Sequence, residues 1–266
     1  MKFVLLPFYA VLVAVCTLFL IVTGAAVTSL GFPATHAVFS QSGHRAVANT
    51  VGILTSGLAV WLLVVEKRVW LRRLAWVPLA GLTVEFALGE LAGPASLATS
   101  MAHAFLAPLV LSTVVMIALA TTPGWRRDPV TIQDKGWPPM GSLATTTLVF
   151  VVMQVALGAA FRYGALGVLP HILGALMVAL LILTLVICLT QLAEHPTLRP
   201  GAIVLLVLTF LQIFLGLTLL SMGSLTGTKL PAVVLGMTHV AMGAITLATS
   251  VVVMLEARRC VRKQDG

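Results

Sequence analysis

The chain has 266 residues, of which 59% are hydrophobic and only 9% are charged. A chain with so few charged residues cannot surround a folded domain with a water-compatible surface, so these values exclude a soluble globular protein and indicate a membrane protein. The net charge of +8 does not indicate a nucleic-acid partner, because the basic residues are concentrated in alternate connecting loops.

Eight apolar segments follow one another along the chain, each close to the roughly 20 residues that a helix needs to cross a bilayer. They are Phe3–Thr28, Ala46–Val65, Leu74–Leu91, Leu97–Ala120, Leu143–Phe161, Val168–Leu189, Ala202–Met222 and Ala232–Leu255. The segments are continuously apolar rather than alternating, which excludes a closed β-barrel. The first is far longer than the apolar core of a signal peptide, so we expect it to be retained. The predicted fold class is an all-α membrane protein of eight transmembrane helices.

The distribution of Lys and Arg predicts the orientation of these helices. Thirteen of the sixteen basic residues lie at the amino terminus, in three alternate loops or at the carboxyl terminus, and only Arg45, Arg162 and Lys229 lie in the opposite loops. This is the positive-inside pattern of a chain with both termini in the cytoplasm. We expect a bacterial or archaeal cytoplasmic membrane, with the basic loops against anionic lipid headgroups. None of the three cysteines falls in an outer loop, so no disulfide is predicted.

A long polar stretch at residues 121–140 divides the chain into an N-terminal half, residues 1–125, and a C-terminal half, residues 126–266. The halves resemble each other: the segment beginning at Glu85 in helix three matches the segment beginning at Gln212 in helix seven, at an offset of 127 residues. Two parallel repeats, related by an axis along the membrane normal, would produce such a pattern. The alternative is that apolar helices resemble one another by chance. We expect two pseudo-symmetric four-helix bundles.

Four of the six histidines occupy equivalent places in the even-numbered helices, towards the predicted outer face. They are His44, His103, His171 and His239. An ionisable ring inside a bilayer needs a partner, and two facing helices can supply one imidazole to each side of a haem iron. For any single histidine, a helix–helix hydrogen bond is the alternative. Two further histidines, His36 and His195, have no counterpart in the other half and are not expected to be ligands.

Several short motifs are similar to those of the heme A synthase family, in order, topology and spacing. They are Gly24-Ala25-Ala26-Val27-Thr28-Ser29-Leu30-Gly31 ending helix one, His44-Arg45 opening helix two, Ala102-His103 in helix four, Gly158-Ala159-Ala160-Phe161-Arg162 ending helix five and Leu211-Gln212 with Gly216 in helix seven. The likeness extends over nearly the whole chain. Members of that family have eight helices in two halves, with a histidine pair in each half.

The resemblance implies oxidation of a methyl group of heme O to the formyl group of heme A. By this resemblance His171 and His239 would ligate a resident heme b, and His44 and His103 would hold the substrate haem. The implied partners are membrane lipid, a prenylated haem that enters from the lipid, and either heme O synthase or subunits of a respiratory complex.

The resemblance also singles out side chains around the histidine pairs. Arg45 and Arg162 are candidate partners of the haem propionates, because a guanidinium binds a carboxylate through two parallel hydrogen bonds, and interfacial snorkelling is the alternative. Gln41 stands where the family typically has a glutamate, and an amide cannot shuttle a proton as a carboxylate does. Glu85 and Glu90 in helix three are candidate replacements. For Glu85 the alternative is a protonated carboxyl bonded to a neighbouring helix, and for Glu90 it is simple solvation.

Two functions therefore stay open. The first is a heme A synthase-like membrane oxidoreductase. The second is a non-catalytic b-type cytochrome that passes electrons within a respiratory complex, and the combination of Gln41 with all four histidines favours it. A haem-free scaffold or transporter is disfavoured by the alignment of the histidines.

Overall fold

The structure, a computed structural model, describes residues 2–29, 39–91, 96–134, 138–192, 197–222 and 230–263. The helices are α1 Lys2–Val27, α2 Gln41–Val65, α3 Val69–Leu74, α4 Trp76–Leu91, α5 Leu97–Thr121, α6 Pro123–Arg126, α7 Met140–Arg162, α8 Val168–Leu192, α9 Leu198–Ser221 and α10 Leu230–Cys260. Within the described ranges, eight helical segments are long and apolar enough to cross a membrane, with α3 and α4 together forming the third. The predicted helical membrane protein of eight spanning segments is confirmed.

The outward surface of the helices is apolar. Phe8, Ile53 and Val64 have exposed fractions of 70%, 73% and 77%. Large apolar side chains in such number on the outside of a folded chain would be unstable in water, but they match the hydrocarbon of a bilayer. The protein is therefore an integral membrane protein.

Most helix ends differ from the predicted spans by a few residues, and two of the differences have a clear local cause. Helix α2 begins at Gln41 rather than Ala46, because the Ser40 hydroxyl accepts a hydrogen bond from the Gly43 backbone N–H and caps the helix. His44 consequently lies in the first turn of α2. The third span is divided between α3 and α4 at Ala75. Pro78 explains this break, since a proline within a helix removes one backbone donor and clashes with the carbonyl four residues earlier.

Each half of the chain forms its own helical core. In the N-terminal half, Leu62 of α2 and Ile117 of α5 are fully buried in one apolar cluster. In the C-terminal half, Leu205 of α9 and Leu247 of α10 are fully buried in another. Consecutive spans pack side by side in both halves, and the first and last spans of each half also touch, so that each half closes into a ring of four. The halves meet where α10 packs against α5 and α1, and where α5 packs against α7.

Two short strands were not predicted from the sequence. Strand β1, Ile132–Asp134, pairs in parallel with β2, Val261–Lys263. The pairing ties the segment between the halves to the end of α10. The Asp134 carboxylate also accepts a hydrogen bond of 2.7 Å from the Met140 backbone N–H at the start of α7. Segments of three residues carry too little periodicity to predict strands, and their pairing partner is far away in sequence.

A buried carboxylate organises the connection after α2. Glu66 accepts hydrogen bonds from the Arg68 guanidinium, at 2.8 and 3.0 Å, and from Arg126 at 3.3 Å. Arg68 also donates to the Ala120 carbonyl at the end of α5. The neighbouring Arg68 guanidinium lowers the pKa of Glu66 to about 2 against the opposing effect of burial. This cluster of Glu66, Arg68 and Arg126 lies at the end of α2 remote from His44.

Candidate functional site

The ends of the odd-numbered spans and the beginnings of the even-numbered spans meet at one end of the bundle. We call it the histidine end, because it contains His44, His103, His171 and His239. Each of these four histidines faces a polar side chain on the span immediately before it in sequence. The four predicted site histidines are thus packed between helices, each with a partner.

In the N-terminal half, both partners offer an oxygen to the imidazole. The Thr23 hydroxyl lies 2.9 Å from Nδ1 of His44. Its own hydrogen is donated to the Leu20 carbonyl at 2.9 Å, so the Thr23 oxygen is left to accept from the ring. The carboxylate of Glu85 contacts Nδ1 of His103. Glu85 does bond to a neighbouring helix, and its partner is a candidate ligand, which the sequence did not indicate.

In the C-terminal half, both partners offer an amide nitrogen. Gln154 Nε2 lies 3.0 Å from Nδ1 of His171 and 3.0 Å from the backbone carbonyl of the same histidine. Gln212 Nε2 lies 3.3 Å from Nε2 of His239 and 3.0 Å from that residue's carbonyl. Each glutamine therefore binds both the ring and the backbone of its histidine. The amide oxygens of both glutamines are buried without a hydrogen-bond partner in the described structure.

A glycine on the preceding span lies against each imidazole ring. A Cβ atom built on these glycines would lie 3.0, 3.5, 3.1 and 3.3 Å from the Cε1 atom of its histidine, in the order Gly24, Gly89, Gly158 and Gly216. In three of the four cases the glycine is one helical turn after the polar partner, so both lie on the same helix face. The ring thus fits a notch formed by a polar residue and a glycine.

Within the C-terminal half, the two histidine rings approach each other. The ring centroids of His171 and His239 are 6.4 Å apart, with an angle of 75° between the planes. Phe161 stacks on His171, with centroids 6.0 Å apart. Two imidazoles on opposite sides of one metal ion, with metal–nitrogen bonds of about 2 Å, would have ring centroids about 6 Å apart. In the N-terminal half, His44 and His103 belong to α2 and α5, which lie diagonally across the ring of four spans.

The four histidines differ in whether their hydrogen-bond partners leave a ring nitrogen available to ligate a haem iron. Ligation requires a neutral imidazole with a bare nitrogen, and the proton on the other nitrogen is held by a second group. For His44 and His103 an oxygen lies against Nδ1, as a hydrogen bond with Thr23 in the first case and as an ion-pair contact with Glu85 in the second, and Nε2 is left for a metal. His171 has an unprotonated Nε2 only if Nδ1 carries the proton. The Gln154 amide must then turn, so that its oxygen, which has no other partner, accepts a hydrogen bond from Nδ1. His239 has a buried Nδ1 without a hydrogen-bond partner.

An apolar groove lies at the histidine end, and none of the four histidines is among its lining residues. It has a volume of about 460 Å³ and is lined by Met101, Ala102 and Phe105 of α5 and by Ala156 and Ala159 of α7. Ala102 directly precedes His103. The groove lies between the two halves, and its lining is almost entirely apolar.

The two arginines predicted at the site have protein partners. Arg45 forms an ion pair with Glu90 at 3.0 Å, and both side chains are about half exposed. Arg162, the last residue of α7, donates to the Ala25 carbonyl at 3.0 Å and to the hydroxyls of Thr28 and Ser29. It therefore caps the end of α1, where helical carbonyls lack intrahelical partners.

The remaining candidates are placed as follows. Gln41 is the first residue of α2 and is exposed. His36 and His195 lie outside the described residues. Among the described residues there is no group of three or more His, Cys, Asp or Glu side chains that could hold a metal ion on its own. Comparison with known proteins finds no matching family model and no matching curated protein.

Proposed function

We propose that this chain is a haem-binding membrane oxidoreductase similar to heme A synthase, which oxidises the methyl group of heme O to the formyl group of heme A with the help of a bound heme b. The observation that carries the proposal is the set of four histidines, each held by a partner on the preceding span, in two pairs at one end of the bundle. Imidazole pairs from facing helices are the usual haem ligands in helical bundles.

In this proposal His171 and His239 hold heme b, and His44 and His103 hold the substrate haem. The 6.4 Å separation of the C-terminal rings supports the first assignment. The groove of about 460 Å³ at the histidine end is a candidate site for the prenyl tail of that substrate, because an apolar tail needs an apolar site that it can reach from the lipid. Arg45 and Arg162 lie at the same end, where haem propionates can compete for their guanidinium groups.

We further propose that the halves are two copies of one four-helix unit, with both termini in the cytoplasm. The same ring of neighbouring spans in both halves supports the duplication. The basic residues at the remote end support the orientation. The histidine end then faces the outside of a bacterial or archaeal cytoplasmic membrane.

The reaction converts R–CH₃ and water to R–CHO with release of four electrons and four protons, so it needs an external electron acceptor. A bound haem supplies one-electron redox chemistry. The residues of this chain bind and orient the porphyrins, and the surrounding apolar helices exclude bulk water. Heme O synthase or a respiratory complex is the expected partner that delivers the substrate or receives the product.

A b-type cytochrome that only transfers electrons is the second candidate. Gln41 is exposed at the helix start and is not a carboxylate, and the nearby Glu90 is already paired with Arg45. An active site lacking a free carboxylate beside His44 lacks a proton acceptor at that position. This observation favours electron transfer without oxidation of a methyl group.

Haem extraction from the purified protein distinguishes the two candidates. The protein is produced with and without heme O synthase, and its extracted haems are separated by chromatography. Heme A, or its alcohol intermediate, supports the enzyme, whereas heme b alone in the presence of abundant heme O supports the cytochrome. A protein that binds no haem under either condition rules out both. The His171→Ala variant should lose the low-spin b-type spectrum, and His195→Ala is the control.

A further inference from the structure

The four histidines differ in the chemistry of the group that holds them. Thr23, Gln154 and Gln212 are neutral partners, whereas Glu85 is a carboxylic acid. Glu85 lies in the middle of a spanning helix, and only 7% of the residue is exposed. Burying an ionisable group in a bilayer is costly, so such a residue is retained where it has a specific partner.

We propose that Glu85 is a positioning residue that accepts a hydrogen bond from the Nδ1–H group of His103 and so fixes Nε2 as the ligand atom. It thereby lowers the reduction potential of a haem bound by the N-terminal pair below that of a haem bound by the C-terminal pair. The inference rests on the proposed function, since it assumes that the pairs bind haem. It deepens that function by assigning different electronic properties to the two sites.

The geometry supports this role in two ways. The carboxylate contacts Nδ1, the nitrogen that points away from a metal bound at Nε2. A carboxylate that holds the proton of a metal-bound imidazole makes the ring a stronger electron donor, which favours the oxidised metal. In the C-terminal half, an amide nitrogen faces each ring instead. Even when the Gln154 amide turns so that its oxygen accepts from Nδ1, a neutral amide is a weaker acceptor than a carboxylate and has a smaller effect on the ring.

The glycine of the same notch keeps His103 in place. A Cβ built on Gly89 would lie 3.5 Å from the His103 ring, which is ordinary van der Waals contact. The ring is therefore held on one side by the backbone of α4 and at Nδ1 by Glu85. A ring fixed in this way presents Nε2 in one direction, which pre-organises it as a ligand.

The decisive variant is Glu85→Gln, which keeps the size of the side chain and removes its charge. Redox titration of the purified haem protein should show a higher reduction potential for the N-terminal haem. We expect its reduction equilibrium constant to rise about tenfold, which corresponds to about 59 mV for one electron. The C-terminal haem should not shift. Glu85→Asp should restore part of the effect. An unchanged N-terminal potential in Glu85→Gln overturns the proposal.

The reciprocal variant is Gln154→Glu, which gives His171 the partner that His103 has. It should lower the potential of the C-terminal haem and leave the N-terminal haem unchanged. If Gln154→Glu fails to fold, the Glu85 variants alone decide the outcome, because Glu85→Gln makes that position resemble the glutamines already present in the other half.

A measurement on the haem-free protein separates this inference from the proposed function. In ¹⁵N-histidine spectra of the protein in detergent, His103 should carry its proton on Nδ1, and Glu85→Gln should change that tautomer. His103→Ala identifies the signal. A proton found on Nε2 overturns the role of Glu85, whether or not haem binds. If the protein has the expected tautomer but binds no haem, Glu85 is still the hydrogen-bond acceptor of His103. The proposed function is then wrong.

Discussion

The two halves hold their histidines at the same positions but with opposite hydrogen-bonding groups. In the N-terminal half, Thr23 and Glu85 place an oxygen against Nδ1 of the imidazole. In the C-terminal half, Gln154 and Gln212 present amide nitrogens, which donate both to the ring and to the histidine backbone. The two histidine pairs therefore lie in chemically different surroundings.

This difference separates two tasks of the partner residue. A glutamine that bonds a backbone carbonyl ties one helix to the next, whatever the ring does. An oxygen that bonds only the ring determines where the imidazole proton resides. The C-terminal partners thus contribute mainly to helix packing, and the N-terminal partners mainly to the state of the ring. The following experiments alter one half at a time, from the largest expected effect to the smallest.

Removal of one ligand from each half gives the largest effect. His171→Ala should abolish haem binding in the C-terminal half, and His44→Ala should do so in the N-terminal half, because one remaining imidazole cannot form a two-sided complex. The haem content per protein, measured by pyridine haemochrome absorbance, should fall by one equivalent in each variant. The His195→Ala variant should keep the full content. An unchanged content in His171→Ala would contradict the assignment.

Loss of the buried carboxylate at the remote end should destabilise the N-terminal half. Because the pKa of Glu66 is lowered to about 2, its ionised form stabilises the folded state at pH above about 4.5, and this contribution is lost as the pH falls towards 2. Glu66→Gln should cost up to about 3 kcal/mol at neutral pH and remove this pH dependence. Thermal unfolding in detergent between pH 3 and 7 measures both effects.

The C-terminal half provides a matched variant for this test. Glu256 is also buried, but it accepts hydrogen bonds from the Thr197 hydroxyl at 3.1 Å and the Cys260 thiol at 3.6 Å. Glu256→Gln keeps an oxygen that can accept these hydrogen bonds, so we expect a smaller loss of stability. If Glu256→Gln costs as much as Glu66→Gln, the ion cluster is not the source of the difference.

Closing the glycine notches should disturb the rings according to the space available. In Gly158→Ala the new Cβ would lie 3.1 Å from the His171 ring, which is tighter than ordinary contact, whereas in Gly89→Ala it would lie 3.5 Å from His103. We expect a cost of about 1–2 kcal/mol and a shifted haem spectrum for the first, and little change for the second. Gly52→Ala is the control, because no atom lies within 4 Å of its Cβ position.

The smallest expected effect is that of a single glutamine. Gln212→Leu removes the hydrogen bonds to the ring and carbonyl of His239, which should cost about 1 kcal/mol, as is usual for polar contacts between membrane helices. Thermal unfolding in detergent measures it. Thr23→Val, the matched change in the N-terminal half, should alter the haem spectrum more than it alters the stability. If Thr23→Val alters the stability more than the haem spectrum, the division of tasks between the halves is wrong.

Sequence reasoning found the histidines but not the groups that hold them. The segments that begin at Glu85 and Gln212 are similar in sequence, and the polar residue and the glycine of each segment form the notch. Which histidine each notch receives depends on how far each helix is rotated about its axis. Hydropathy does not define that rotation for Gln154, because the helix is apolar nearly all round.

Contacts between distant segments were also missed. Arg162 caps the end of α1, although the two lie more than 130 residues apart, and β1 pairs with β2 at a similar separation. Arg45 pairs with Glu90 on another span. Each of these residues is ordinary in its local sequence, so only the packing of the spans identifies its partner.

The amino-acid sequence by itself determined that this protein is a bundle of eight membrane-spanning helices with four histidines in alternate spans. It could do so because hydrocarbon accepts only segments whose backbone is internally hydrogen-bonded, and such segments must be long and apolar. The tertiary structure alone decided that oxygens hold one pair of rings and amide nitrogens the other. That choice depends on the rotation and depth of each helix against its neighbour, which are set by side-chain packing between distant parts of the chain.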